Sequence, residues 1–235
     1  MGQIYLVRHG QASFGSANYD QLSDTGVEQA RLLGGWFAGC RQSFAQAVTG
    51  SLQRHRQTAE ACLAALSPAQ RPAGELHTDR GFDEYDHDEV LVRHRPDFAD
   101  PMAAHAVLTR DPNPRRAFQR IFADAMARWM GGAHDADYRE SWPAFRARCL
   151  AALQRLVESA GASQSTVVFT SGGPIAVICQ ELLGVPDRRA AEINFSLVNS
   201  AVTKLLHQPG RVSLSYLNNF AHLEQTGRAQ TITYR

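Results

Sequence analysis

An arginine and a histidine stand side by side where a short apolar run stops. Residues 4–7 read Ile-Tyr-Leu-Val and are followed at once by Arg8, His9, Gly10 and Gln11. Such a run suits a buried strand and is too short for most helices. Arginine offers a rigid fork of donors matched to phosphate oxygens, histidine is nucleophilic near neutral pH, and glycine lets the backbone turn closely beside a ligand. In open α/β folds, ligands bind at the carboxyl ends of the parallel strands, so the trio points to phosphate chemistry. Two further stretches repeat the arrangement. Residues 47–50 read as a second strand running into Ser51-Leu52-Gln53-Arg54, and residues 166–170 as another that ends in Ser171-Gly172-Gly173-Pro174. A parallel sheet brings these distant strand ends to one edge, so Arg8, His9, Arg54, Ser171 and Gly172 are expected to converge.

The elements that must hold these residues are legible around them. After a polar loop over residues 12–23, Thr25-Gly26-Val27-Glu28 has the spacing of a capping box, and Val27, Ala30, Leu33, Gly34 and Phe37 recur at helical spacing. Cys62, Leu63 and Leu66 continue an apolar face behind Arg54, and residues 75–78 suggest a third strand leading to Asp83, Glu84 and Tyr85. From 87 to 134 the strand-helix rhythm lapses into two expected helices around Asp111-Pro112-Asn113-Pro114. The second begins at Asn113-Pro114, carries the stripe Phe118, Ile121, Phe122, Ala125 and Trp129, and stops at Gly131-Gly132. Ser141 opens a long helix, another is expected over residues 175–183, and residues 201–217 read as a hairpin around Pro209-Gly210. The expected fold class is α/β: a three-layer sandwich, its central sheet mostly parallel with an antiparallel edge, carrying an inserted helical cap at about 87–140.

Composition narrows the function. A chain of 235 residues, 44% hydrophobic and 20% charged, is long enough for one generous α/β domain, and its net charge of +1 gives no basic excess for nucleic acid or a membrane surface. No run approaches a membrane span and no signal-peptide pattern opens the chain, so a cytoplasmic location is expected. Cys40, Cys62, Cys149 and Cys179 form no CxxC pair, which leaves free thiols as the default. The ligand-rich stretch 83–94 has no recognised metal spacing, and Gly172-Gly173 is too little for a dinucleotide fingerprint. A serine-hydrolase elbow at Ser171 would need glycine where Phe169 stands.

Taken together, LVRHGQ, LSDTGVEQA, SLQRHRQTA and FDEYD, with NSAVTKL and YLNNFAHL near the end, make the chain resemble the histidine phosphatase superfamily, the phosphoglycerate mutase-like family, over nearly its full length. The resemblance implies a single domain across 1–235, a metal-independent and cofactor-free phosphomonoester hydrolase, and a small phosphorylated substrate. A homo-oligomer is compatible with the sequence. By the same resemblance His9 is the nucleophile that forms a phosphohistidine, Glu84 is the proton donor, and Arg8 and Arg54 bind the phosphoryl group; Gln11, the Ser171 hydroxyl and the helix terminus at Gly172 are further candidates for binding it. Arg93, Arg95, Arg115 and Arg116 are candidates for a second anionic group of the substrate.

One position departs from the family pattern. Family members carry a second histidine before the later Gly-Gly pair, whereas this chain has Ser171 there. A hydroxyl donates a hydrogen bond but carries no positive charge, so slow turnover is expected, and Ser171→His is expected to raise it. His87 and His222 are the histidines weighed as replacements. The alternative reading is a catalytically weakened phosphate- or phosphopeptide-binding protein of the same fold. A phosphoglycerate-type mutase ranks below both, because its substrate-gripping insertion is not recognised between Glu84 and Trp142.

Overall fold

In the computed structural model, residues 1–13, 20–161 and 163–234 are described. Residues 14–19 of the polar loop expected over 12–23 lie outside them. The chain divides into two compact units, one of residues 1–84 with 148–235 and one of residues 85–147.

The larger unit is built on a mixed six-stranded sheet. In chain order its elements are β1 (Gly2–Arg8), α1 (Asp24–Gly39), β2 (Gln46–Thr49), α2 (Gln53–Ala64) and β3 (His77–Thr78). The smaller unit contributes α3 (His87–His94), α4 (Pro101–Leu108) and α5 (Pro114–Met130), and α6 (Trp142–Ser159) leads back to the larger one. There follow β4 (Ser165–Thr170), α7 (Gly172–Leu183), α8 (Asp187–Ser196), β5 (Val202–Gln208), β6 (Arg211–Asn219) and the short α9 (Ala221–Glu224). The strand order is β3-β2-β4-β1-β5-β6. β1, β4, β2 and β3 run parallel, while β5 pairs antiparallel with both β1 and β6, giving the mostly parallel sheet with an antiparallel edge read from the sequence.

Alternation along the strands builds the layers. Ile4, Leu6, Val48, Val168 and Leu205 face one side, where they pack with Leu153 and Leu156 of α6 and Ile175 and Ile178 of α7. Tyr5, Val7, Ala47, Val167 and Phe169 face the other, against Leu33 and Phe37 of α1 and Ala59 and Cys62 of α2. Both faces are covered by helices, so the central strands are buried on both sides and read as continuous apolar runs.

Several boundaries differ from the sequence reading for local reasons. Ser23, not Thr25, caps α1, its hydroxyl accepting the Gly26 N–H at 3.1 Å. α7 begins at Gly172, ahead of the expected 175, because Pro174 is tolerated in a first turn whose N–H groups have no intrahelical partner. The smaller unit has three α-helices where two were expected, since Asp100 caps and Pro101 starts an additional one; Asn113 and Pro114 open α5 as read. Within that unit Tyr85, Trp129, Trp142 and Phe145 pack ring against ring around a core in which Trp129 is 1% exposed.

Candidate active site

The register of the central strands sets the site. Arg8 ends β1 opposite Thr170, the last residue of β4, and the His9 N–H donates to the Thr170 carbonyl at 2.8 Å. β2 lies on the other side of β4 and leads through residues 50–52 to Arg54 in the first turn of α2. Arg8, His9, Arg54 and Ser171 are all buried there, with the first three 6% exposed.

Close backbone packing fixes the turn after β1. A Cβ on Gly10 would lie 2.3 Å from the Gly26 carbonyl oxygen, so only glycine lets this turn rest on the first turn of α1. The Gly10 N–H donates to Thr58 Oγ1 at 3.1 Å, and the Thr58 hydroxyl donates to the Arg54 carbonyl at 2.7 Å, coupling the turn to the helix that carries the second arginine. From the opposite side Ser200 N–H and Asn199 Nδ2 donate to the His9 carbonyl at 3.2 and 3.3 Å.

The His9 ring is oriented and neutral. Its Nδ1 lies 2.7 Å from the Gly10 carbonyl, which can only accept, so the ring proton sits on Nδ1 and the lone pair on Nε2. Burial, with the positive charges of Arg54 and Arg8, holds its pKa well below the ordinary histidine value, so the ring is neutral at pH 7. Arg54 Nε donates to that Nε2 at 3.3 Å, and Arg54 Nη1 pairs with Asp20 at 2.8 Å. The Arg8 guanidinium donates to the Leu197 carbonyl.

Glu84 reaches the same edge. Its Oε2 accepts the Gly173 N–H at 3.2 Å, in the first turn of α7. The segment before it is held from two directions: Arg148 Nη1 donates to the carbonyls of Arg80, Gly81 and Asp83, and the Asp83 carboxylate accepts from Ser51 N and Oγ at 2.5 and 2.7 Å. Gln11 sits at the margin. Its side-chain oxygen accepts the Ser23 hydroxyl at 2.8 Å and its backbone N–H donates to Gln29, so much of its bonding secures the start of α1.

A residue that the sequence reading passed over lies at the centre. His55 is 0% exposed, its ring centroid is 5.7 Å from that of His9, and its Nε2 is 2.6 Å from Ser171 Oγ. The signal was present in helical spacing, since His55, Thr58, Ala59 and Cys62 all fall on the buried face of α2. The two histidines weighed as replacements are engaged elsewhere. His222 is buried with its Nε2 2.7 Å from Ser200 Oγ, and Ser200 in turn reaches His9 through its backbone N–H; His87 lies in the smaller unit beside Asp88. Of the arginines proposed for a second anion, Arg93 and Arg95 face Glu89 and Asp97, while Arg115 and Arg116 are exposed.

Burial of His222 makes a testable contribution to stability. Burial lowers its pKa to about 4, below the ordinary 6.5 of an unfolded chain. Between those values the unfolded chain binds a proton that the folded one refuses. Its contribution is therefore full above pH 6.5 and lost as the pH falls, by about 1.4 kcal/mol per pH unit and ~3 kcal/mol in all. Urea unfolding from pH 7 to 4 should show this decline, and His222→Gln should flatten it by about that amount.

With this geometry in place, comparison with known proteins defines the class. A model of the histidine phosphatase superfamily, branch 1, matches residues 4–114 and 113–220. The chain belongs to that superfamily. Solved structures with the same fold include a phosphoglycerate mutase from Bacillus anthracis, at 17% identity over 96% of each chain with a TM-score of 0.64. A phosphoserine phosphatase from Entamoeba histolytica matches at 18% identity over 95% of this chain and 100% of its own, TM-score 0.61. A mycobacterial glucosyl-3-phosphoglycerate phosphatase matches at 22% identity over 94% and 98%, TM-score 0.60. No curated protein is significantly similar in sequence. Among the described residues no helix is long and apolar enough to cross a membrane, and no three His, Cys, Asp or Glu side chains cluster as metal ligands would.

Proposed function

We propose that the protein is a phosphomonoester hydrolase working through a phosphohistidine at His9. The observation that carries this reading is the neutral, oriented His9 Nε2 with Arg54 directly upon it and Arg8 beside it in sequence. The Nε2 lone pair attacks phosphorus; the bond from phosphorus to the ester oxygen breaks, and Glu84 gives that oxygen its proton. Water then attacks the phosphohistidine, Glu84 takes its proton, and the P–N bond breaks to release inorganic phosphate and restore His9. Arg8 and Arg54 offset charge on the phosphoryl oxygens throughout. An arriving phosphoryl group takes the Arg54 donors over from His9 and Asp20.

The substrate is a small phosphorylated molecule, a reading supported by the phosphatases among the structural relatives. The test is a screen of small phosphoesters with the purified protein in the presence of EDTA. Turnover that survives EDTA and disappears in His9→Ala is expected. Phosphate binding without turnover of any ester would overturn the reading in favour of a binding protein.

A further inference from the structure

We propose that His55 and Ser171 act as one unit, His55 supplying through the Ser171 hydroxyl the imidazole that the family pattern places at position 171 itself. This rests on the phosphatase reading above, because the group it serves is the phosphoryl group on His9.

Three observations lead to it. The first is the 2.6 Å contact between His55 Nε2 and Ser171 Oγ, with both residues 0% exposed. The second is where the serine hydroxyl does not go. Ser171 is the N-cap residue of α7, with extended backbone angles, yet its side chain caps no helix N–H. An N-cap serine ordinarily accepts such a bond, so its engagement with His55 forgoes an available local partner. The third is the other face of the ring. His55 Nδ1 is buried with no hydrogen-bond partner among the described residues, and it lies so close to Gly50 that a Cβ there would be 2.3 Å from it. A proton on Nδ1 would be a buried donor without an acceptor, so the proton belongs on Nε2. The Nε2–H then donates to Ser171 Oγ, and the hydroxyl hydrogen is left to donate onward.

The surroundings agree with a neutral ring. Arg54 precedes His55 on α2, His9 faces it from the end of β1, and the Asp83 carboxylate approaches the same side of Gly50 as Nδ1 but is held by Ser51. Burial and Arg54 both lower the His55 pKa. The phosphoryl group that displaces Arg54 from His9 Nε2 enters beside the Ser171 hydroxyl, which donates to one of its non-bridging oxygens. No proton changes owner; two aligned donors polarise one another, and the second strengthens as charge builds on the oxygen. His55 is thus a positioning residue acting through Ser171.

A double-mutant cycle tests this, using one phosphoester whose turnover depends on His9. Ser171→Ala and His55→Ala should each lower kcat by about 10²-fold with a smaller change in KM, and the double variant should be no slower than either single one. His55→Gln, whose amide N–H can still donate to Ser171, should keep kcat within about tenfold of wild type. It also serves as the readout if His55→Ala fails to fold. Losses that multiply in the double variant, or an unchanged kcat in His55→Ala, would overturn the unit. If the wild type hydrolyses nothing, the phosphatase reading has failed and inorganic phosphate becomes the probe. Calorimetric affinities should then fall about tenfold in each single variant and no further in the double, and independent effects would again reject the pairing.

Discussion

His9→Ala should reduce hydrolysis of every phosphoester to background, a loss on the order of 10⁴- to 10⁶-fold, the scale on which enzymes lose a covalent nucleophile. The same protein should still bind inorganic phosphate, because Arg8 and Arg54 remain. The contrast matters, since a variant that loses binding as well would indicate a collapsed site instead of a missing nucleophile. In the wild type, rapid quenching during turnover should trap one phosphoryl group per chain, stable in base and lost in acid, and peptide mapping should place it on His9. Two features of the structure make this residue the expected site over its neighbour. The Gly10 carbonyl fixes the proton of His9 on Nδ1 and leaves an unprotonated Nε2 to form a bond once the phosphoryl group displaces Arg54, whereas the Nε2 of His55 is held 2.6 Å from Ser171 Oγ. A phosphoryl group recovered on His55, or none recovered while turnover proceeds, would refute the assignment.

The parts of the molecule that were legible in the sequence are those governed by local rules. Apolar runs followed by polar turns gave β1, β2 and β4, and the strand-helix rhythm gave the parallel sheet with its hairpin edge. Asn113-Pro114 placed the start of α5 because a cap and a proline leave few alternatives. What escaped depended on pairs of residues far apart in the chain. His55 and Ser171 are separated by 116 positions, and neither is informative alone: a histidine on a buried helix face is usually packing, and a serine before glycines is usually a cap. Their meeting follows from β2 and β4 lying side by side, a fact of strand order that no local pattern states. The same contact reverses one expectation. Ser171→His was expected to speed turnover, but a ring at position 171 would occupy the space that His55 Nε2 fills 2.6 Å away, so the single substitution should now slow the enzyme.

Glu84→Gln should show its effect step by step, which makes it the sharpest test of the proton-transfer role. The Gly173 N–H that donates to Glu84 Oε2 can donate equally to an amide oxygen, so glutamine should keep the side chain in place while removing its ability to give or take a proton. In the first step, an alkyl leaving oxygen needs that proton and should depart about 10²- to 10⁴-fold more slowly. A nitrophenolate is stable enough to leave without it, so the first step with p-nitrophenyl phosphate should change less than tenfold. The second step is the same for both esters, because water attacks an identical phosphohistidine, and it needs Glu84 as the base. Glu84→Gln should therefore release one nitrophenolate per enzyme in a burst and then turn over slowly, and it should give no burst with an alkyl phosphate. The accumulated phosphohistidine should be recoverable after the burst in greater amount than from the wild type at steady state. Equal slowing of the first step on both esters would show that Glu84 orders the first turn of α7 through Gly173 and that another group moves the proton.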